Sequence, residues 1–182
     1  MLSGCSVFVT GGAGFLGSHL VKRFVEEGAR VSCLVRGDRP RSGLRLDGSV
    51  ERVYGDVTDL QRLHGILRSR QVDAIFHLAA QPIVGDAKAD PFQTMESNVR
   101  GTWCVLEAAR LLGGVRSVVI VTSDKVYSSS TRPPYKEDAL LGGLLPYEAS
   151  KVVADVIAEC YMRTYQLPIG VAGRQAQYER PQ

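Results

Sequence analysis

Thr10-Gly11-Gly12-Ala13-Gly14-Phe15-Leu16-Gly17 stands between a β-branched run, Ser6 to Thr10, and a segment of helical spacing that opens at Phe15. In such a strand–loop–helix unit the unpaired N–H groups and the positive end of the helix face the loop, and a pyrophosphate fits there. Gly11 permits the tight turn, Gly14 lets the backbone approach the phosphates, and Gly17 lets the helix pack close to the strand. Phe15 and Leu16 occupy the first helical positions at the same point. The spacing is G-x-x-G-x-x-G rather than the more usual G-x-G-x-x-G, and without its flanking strand and helix it would read as an ordinary turn.

On either side of this stretch, short apolar runs alternate with helical periodicity. Ser6 to Thr10, Arg30 to Val35, Arg52 to Tyr54, Ala74 to Leu78 and Ser117 to Thr122 are the expected strands, apolar throughout as in strands buried on both faces. Helices are expected from Phe15 to Glu27, near Leu60 to Arg70, from Pro91 to Leu112 and from Tyr147 to Tyr165. In the first, Leu16, Leu20, Val21, Phe24 and Val25 form the apolar stripe and Gly28 is the stop. The order of elements predicts one α/β domain over residues 1–182, a doubly wound parallel (Rossmann-like) sheet. Ser128 to Pro146, rich in Ser, Pro and Gly, reads as a partly mobile loop on the substrate side.

The chain of 182 residues is 45% apolar and 23% charged, enough for one sizeable core. Its 22 basic and 19 acidic residues are interleaved, apart from a local concentration at Arg36, Arg39, Arg41 and Arg45, which does not imply a nucleic-acid partner. No apolar run approaches the roughly 18 residues of a membrane span, and no secretory signal is visible. Cys5, Cys33, Cys104 and Cys160 are scattered without paired spacing, so no metal site is expected, and they read as reduced, buried thiols of a cytoplasmic protein.

Two sites of chemistry follow from residue types. At the end of the second strand an NAD site presents a carboxylate to the ribose 2′-hydroxyl. Here the position is Val35, and Arg36 beside it suits a 2′-phosphate, which favours NADP somewhat over NAD; the opposing reading has Asp38 reach the ribose while Arg36 is solvated. Tyr147 and Lys151, four apart on the last helix, share one face, where the ammonium can stabilise a tyrosinate and make Tyr147 a general base. The alternative is a surface pair with no chemistry.

The glycine segment, Gly55-Asp56-Val57-Thr58-Asp59, His77-Leu78-Ala79-Ala80-Gln81, Asn98-Val99-Arg100-Gly101-Thr102, Thr122-Ser123-Asp124-Lys125-Val126-Tyr127 and Tyr147-Glu148-Ala149-Ser150-Lys151 follow in an order that resembles the extended short-chain dehydrogenase/reductases, in the nucleotide-sugar epimerase and 4,6-dehydratase branch. The resemblance implies that Asp56 and Val57 lie near the adenine. It implies too that Leu78, Ala79 and Ala80 pass the ribose and nicotinamide phosphates, that Asn98 supports the neighbouring strand end, and that Lys151 holds the nicotinamide ribose. Asp56 could equally cap the next helix, and Asn98 could simply satisfy backbone groups. By the same resemblance Ser123 bonds the sugar C4 oxygen and completes a Ser–Tyr–Lys triad, with Thr122 as the alternative hydroxyl, one residue off and pointing away.

A 4-epimerase needs only that triad. A 4,6-dehydratase must also remove a proton from C5 and protonate the departing C6 hydroxyl, work that Asp124 and Lys125 would do unless they are a turn-capping ion pair. The Ser-Asp-Lys form and the run His77 to Gly85 resemble CDP-glucose 4,6-dehydratases and relatives of GDP-mannose 4,6-dehydratases most. Such relatives imply a nucleotide-sugar substrate and a homodimer through the helices Pro91 to Leu112 and Tyr147 to Tyr165. The family continues with an Arg-x-x-Asn-x-Tyr-Gly pattern and a substrate domain. Here Leu167 to Val171 begins that strand, but Gly173 to Gln182 departs from the pattern, so the expectation is a truncated chain without the substrate domain and of doubtful activity alone. A catalytically silent dinucleotide-binding remnant is the reading from another class.

Overall fold

Parallel strands and crossover helices alternate along the computed structural model, which describes residues 2–37, 48–127, 135–136 and 138–173. In chain order they are β1 (Ser6–Thr10), α1 (Phe15–Glu26), β2 (Arg30–Val35), β3 (Glu51–Tyr54), α2 (Leu60–Ser69), β4 (Ala74–His77), α3 (Val84–Ala89), α4 (Pro91–Met95), a π-helical turn (Glu96–Arg100), α5 (Gly101–Leu112), β5 (Ser117–Val121), α6 (Pro146–Tyr165) and β6 (Ile169–Ala172). Asp38, Arg39, Arg41, Arg45, residues 128–134 and 137 of the expected loop, and the tail from Arg174 lie outside the described residues.

The six strands form one parallel sheet in the order β3-β2-β1-β4-β5-β6. After β3 the chain returns past β1 to lay down β4 on its other side, so Thr10 and His77 sit side by side where the direction of winding reverses. In doubly wound sheets that reversal opens a crevice at the carboxyl ends of the strands.

Both faces of the sheet are covered, which is why β1 is buried at every residue. Phe8, Ile75, Val118 and Ile120 pack with Leu63 and Leu67 of α2, Leu106 of α5 and Ala158 of α6. Val7, Val9, Val31, Cys33 and Val35 pack with Val21 and Phe24 of α1. Each large side chain so buried contributes about 1.5–3 kcal/mol of transfer free energy. The helix α1 ends as expected at Gly28, whose φ of +79° allows Ala29 N–H to reach back to the Phe24 carbonyl at 3.0 Å.

Four expectations need correction. Leu16 does not join the apolar stripe of α1: with Phe15 it is exposed, because the buried face of the helix runs through Gly17, Val21 and Phe24 and Leu16 falls one position before it. The strand β3 is not apolar throughout; it is an edge strand with only Val53 buried. The span Pro91 to Leu112 is helical but not uniform, since the π-helical turn interrupts it, and a further short helix, α3, precedes it. Of the four unpaired cysteines Cys33 is buried, Cys5 and Cys104 are half-buried, and Cys160 is exposed. Among the described residues no helix is long and apolar enough to cross a membrane.

Candidate active site

Because all six strands are parallel, the segments that leave their carboxyl ends share one edge of the molecule. The glycine turn leaves β1, Arg36 leaves β2, Asp56 and Val57 follow β3, Leu78 to Ala80 follow β4, and Ser123 to Lys125 follow β5. At the centre of that edge Gly11 takes φ +73°, and a Cβ there would come within 2.6 Å of the Ala79 nitrogen. Only glycine allows the β1 turn to lie against the Leu78–Ala79 peptide. Gly17 is closed in by the Gly11 carbonyl and the Gly12 backbone, which is the close helix–strand approach its spacing suggested. Gly12 was not singled out from the sequence, yet a Cβ on it would meet the Cys33 Sγ at 2.7 Å.

Gly14 differs from these. It is the N-cap of α1, with extended backbone, and a Cβ there would touch nothing closer than the Gly11 carbonyl at 3.2 Å. No side chain caps α1 and no acid sits in its first turn, so the positive end of the helix faces this open side. Phe15 and Leu16 stand exposed beside it.

Under the crevice runs a buried polar chain. The Ala79 N–H donates to Thr10 Oγ1 at 3.2 Å, and Thr10 Oγ1 lies 2.7 Å from His77 Nδ1. His77 Nε2 lies 3.0 Å from Thr102 Oγ1, which donates to the Asn98 carbonyl at 2.6 Å. Burial, and secondarily the charge of Lys151, hold His77 down to about 3, so its imidazole is neutral. Asn98 lies in the π-helical turn, which turns its side chain inward. Its Oδ1 accepts from Gln81 N at 2.7 Å, while its Nδ2 donates to the Gln81 carbonyl at 3.2 Å and to Ser150 Oγ at 2.9 Å. Ser150 in turn donates to the Tyr147 carbonyl at 2.7 Å. Asn98 therefore does satisfy backbone groups, and those groups join the loop after β4 to the first turn of α6.

On α6, Lys151 is buried and its Nζ donates to the Val121 carbonyl at 3.1 Å, two residues before Ser123. Burial lowers it to about 8, leaving a poorly hydrated ammonium at neutral pH. Tyr147, one turn earlier, is half-buried. Ser123 caps a 3₁₀ turn, Asp124–Val126: its Oγ accepts from Lys125 N at 3.2 Å and lies 3.1 Å from Asp124 Oδ1, to which its hydroxyl donates. No ion pair joins Asp124 to Lys125; the hydroxyl of Ser123 closes the turn, and Lys125 is exposed. Thr122 is buried and donates to the Ala172 carbonyl at 3.5 Å, pointing away as strand alternation requires.

The remaining site candidates divide. Asp56 does not cap α2; that is Asp59, which accepts from Arg62 N, whereas Asp56 Oδ1 accepts from both the N–H and the hydroxyl of Thr58. The Val57 side chain belongs to the core and touches the space that a Cβ on Gly101 would fill. Arg36 is exposed just past β2. Of the expected loop, the described end is tied down: Gly142 N–H donates to the Val126 carbonyl, Tyr127 pairs with Leu141, and Glu148 Oε2 accepts from Leu144 and Leu145 N–H. Thr10, Thr102 and Ser150 were not found from the sequence, because their partners His77 and Asn98 lie 67, 25 and 52 residues away and carry no local signal; Glu148, which caps α6 from within four residues, was missed although its signal is local.

A glycine turn beneath an uncapped helix start, set at the reversal of strand order, is the working edge of a doubly wound Rossmann-like domain. The comparisons narrow this. Residues 8–180 match the GDP-mannose 4,6-dehydratase family, and the chain belongs to it. It is 34% identical over 174 residues to the CDP-glucose 4,6-dehydratase of Salmonella typhimurium, covering 91% of this chain and 47% of that one. Its identity to UDP-glucose 4-epimerase 3 of Oryza sativa subsp. japonica is 32% over 163 residues, covering 84% and 43%. Among solved structures, a dTDP-glucose 4,6-dehydratase from Streptomyces venezuelae with NAD bound matches with a TM-score of 0.78 and 36% identity, over 91% of this chain and 54% of that one. The chain spans about half the length of these relatives.

Proposed function

We propose that the chain carries the cofactor site and the reacting groups of a nucleotide-sugar 4,6-dehydratase acting on a CDP-glucose or GDP-mannose type of substrate. The observation that carries this is Lys151: buried on α6 and bonded to the end of β5, it joins the helix of Tyr147 to the turn of Ser123. The open side of Gly14 and the uncapped start of α1 fit a dinucleotide pyrophosphate. Gly11, Gly14, Phe15, Leu16 and Gly17 would hold it there, with Asp56 and Val57 at the adenine, Leu78, Ala79, Ala80 and Asn98 along the ribose and nicotinamide side, and Tyr147 and Lys151 at the far ribose. A nicotinamide bound there would supply hydride acceptance from the sugar C4 and return of that hydride at C6 once water has left.

Tyr147 takes the O4 proton as general base, favoured by an ammonium that burial has stripped of water and that gains from an anionic neighbour. The Ser123 hydroxyl, now donated to Asp124, redirects to O4 when sugar binds and so releases the Asp124 carboxylate. Asp124 then takes the C5 proton while Lys125 assists protonation of the departing C6 hydroxyl. A 4-epimerase is the second reading, favoured by the rice relative and by the exposure of Lys125.

Incubation with CDP-glucose or GDP-mannose tests the proposal. A 4-keto-6-deoxy product supports the dehydratase, an isomer moves the assignment to the epimerase, and dinucleotide binding without turnover identifies a silent binding domain. In the active protein Tyr147→Phe should slow C4 oxidation by roughly 10²- to 10⁴-fold. Asp124→Asn should still form the 4-keto sugar but little 6-deoxy product; unchanged output would make Asp124 a turn residue only.

The finer readings rest on this one. Arg36, exposed where a 2′-phosphate would lie, favours NADP over the NAD seen in the Streptomyces neighbour. Exposed Phe92, Trp103 and Val156 on the two long helical stretches suit a homodimer. Unpaired thiols suit the cytoplasm.

A further inference from the structure

The buried chain beneath the crevice has only one arrangement of protons. The Ala79 N–H can only donate, so Thr10 Oγ1 accepts there. The Asn98 carbonyl can only accept, so the single hydroxyl proton of Thr102 goes to it and Thr102 Oγ1 must accept from His77 Nε2. A neutral imidazole with its proton on Nε2 has a bare Nδ1, which takes the Thr10 hydroxyl proton. Every donor and acceptor is then used, in one direction, from β1 through β4 to α5. The amide of Asn98 is oriented with the same certainty, because Gln81 presents one backbone donor and one backbone acceptor to it.

We propose that Thr10, His77 and Thr102 are positioning residues for the dinucleotide. Their one-way relay holds the Leu78–Ala79 turn against the glycine turn, and through Asn98 and Ser150 it ties that register to the helix carrying Tyr147 and Lys151. None of the three touches the reacting atoms. Gly11 allows the two turns to meet, and the Thr10 hydroxyl keeps them there by fixing Ala79 N–H. With both ends fixed the relay runs one way only, so a change at Thr102 is passed through His77 and Thr10 to Ala79, which packs on the same face of the sheet as α5. The inference rests on the dinucleotide reading for its consequence, but not for the relay itself.

Nitrogen-15 spectra of the imidazole groups in the 182-residue chain give the first test. At pH 7 His77 should be neutral with its proton on Nε2; a proton on Nδ1, or a charged ring, overturns the relay in the parent protein without any variant. Calorimetric titration with NAD and NADP gives the second. Thr102→Val, which removes a hydroxyl remote from the cradle, should lower dinucleotide affinity by about tenfold, the factor expected for one lost buried hydrogen bond. Thr102→Ser should restore the affinity. Folded Thr102→Val binding as tightly as the parent, or failure of Thr102→Ser to recover affinity that Thr102→Val lost, overturns the positioning role. A parent chain that binds neither dinucleotide refutes the cofactor reading instead, and the tautomer measurement still decides the relay.

Discussion

A methyl group added at Gly14 would meet only the Gly11 carbonyl oxygen, 3.2 Å away, whereas at Gly17 it would strike that carbonyl and come within 2.8 Å of the Gly12 Cα. One glycine leaves room for something outside the protein and the other for the protein itself. Gly14→Val should therefore keep the fold, by circular dichroism and thermal unfolding, and lose dinucleotide binding in calorimetry; retained affinity would put the phosphates elsewhere. Gly17→Val should instead destabilise by about 1–3 kcal/mol, the usual cost of overpacking, with a lower Tm. Arg36 permits a sharper test of cofactor choice, since only NADP carries a phosphate for it. Loss of a charge-assisted bond of about 1.5–3 kcal/mol makes Arg36→Ala weaken NADP by roughly tenfold to a hundredfold and leave NAD unchanged. Equal losses for the two would remove the 2′-phosphate role.

Among the elements, α6 carries both Tyr147 and Lys151, and its start is set by its neighbours. Glu148 reaches back to the N–H groups of Leu144 and Leu145, and Gly143 lies so close that a Cβ would come within 2.6 Å of the Ala149 nitrogen. The carboxylate also complements the positive end of the helix. Glu148→Ala should cost about 1 kcal/mol, as lost helix caps do, and lower the Tm by a few degrees. A variant as stable as the parent would show that Asn98 and Ser150 alone position the first turn. The π-helical turn does for Asn98 what Glu148 does for Tyr147. It was not foreseen within Pro91 to Leu112, because a uniform helical period continues through it and only the contact with Gln81 and Ser150 distinguishes it.

At the scale of the molecule the buried imidazole links the site to stability. Holding His77 at about 3, against an ordinary value near 6.5, means that as pH falls below 6.5 the unfolded chain takes up a proton that the folded chain refuses. The contribution is full above pH 6.5 and is lost progressively down to about 3. Between pH 6.5 and 5 the parent should lose about 2 kcal/mol through His77 alone, at roughly 1.4 kcal/mol per pH unit. The comparison is with His77→Gln, which does not titrate: the gap in urea unfolding free energy between the two should shrink by that amount on going from pH 7 to pH 5. A gap independent of pH would mean that the ring is not held neutral. Lys151 acts at the other end of the scale, where its burial penalty is relieved as pH rises from about 8 toward 10.5.

The alternation of apolar runs with helical periods and the glycine turn were enough to determine a doubly wound sheet, and with the Tyr147–Lys151 spacing they marked the edge on which the candidate site lies. These are local or strictly periodic signals, and parallel strands send every loop of one kind to one edge. Only the tertiary structure decided which glycine faces packing and which faces open space, that Asp59 rather than Asp56 caps α2, and that Ser123 closes its own turn. It alone joined Thr10, His77, Thr102 and Asn98 into one directed chain, since each of those bonds but the last spans at least 25 residues, a separation at which neither periodicity nor propensity carries information.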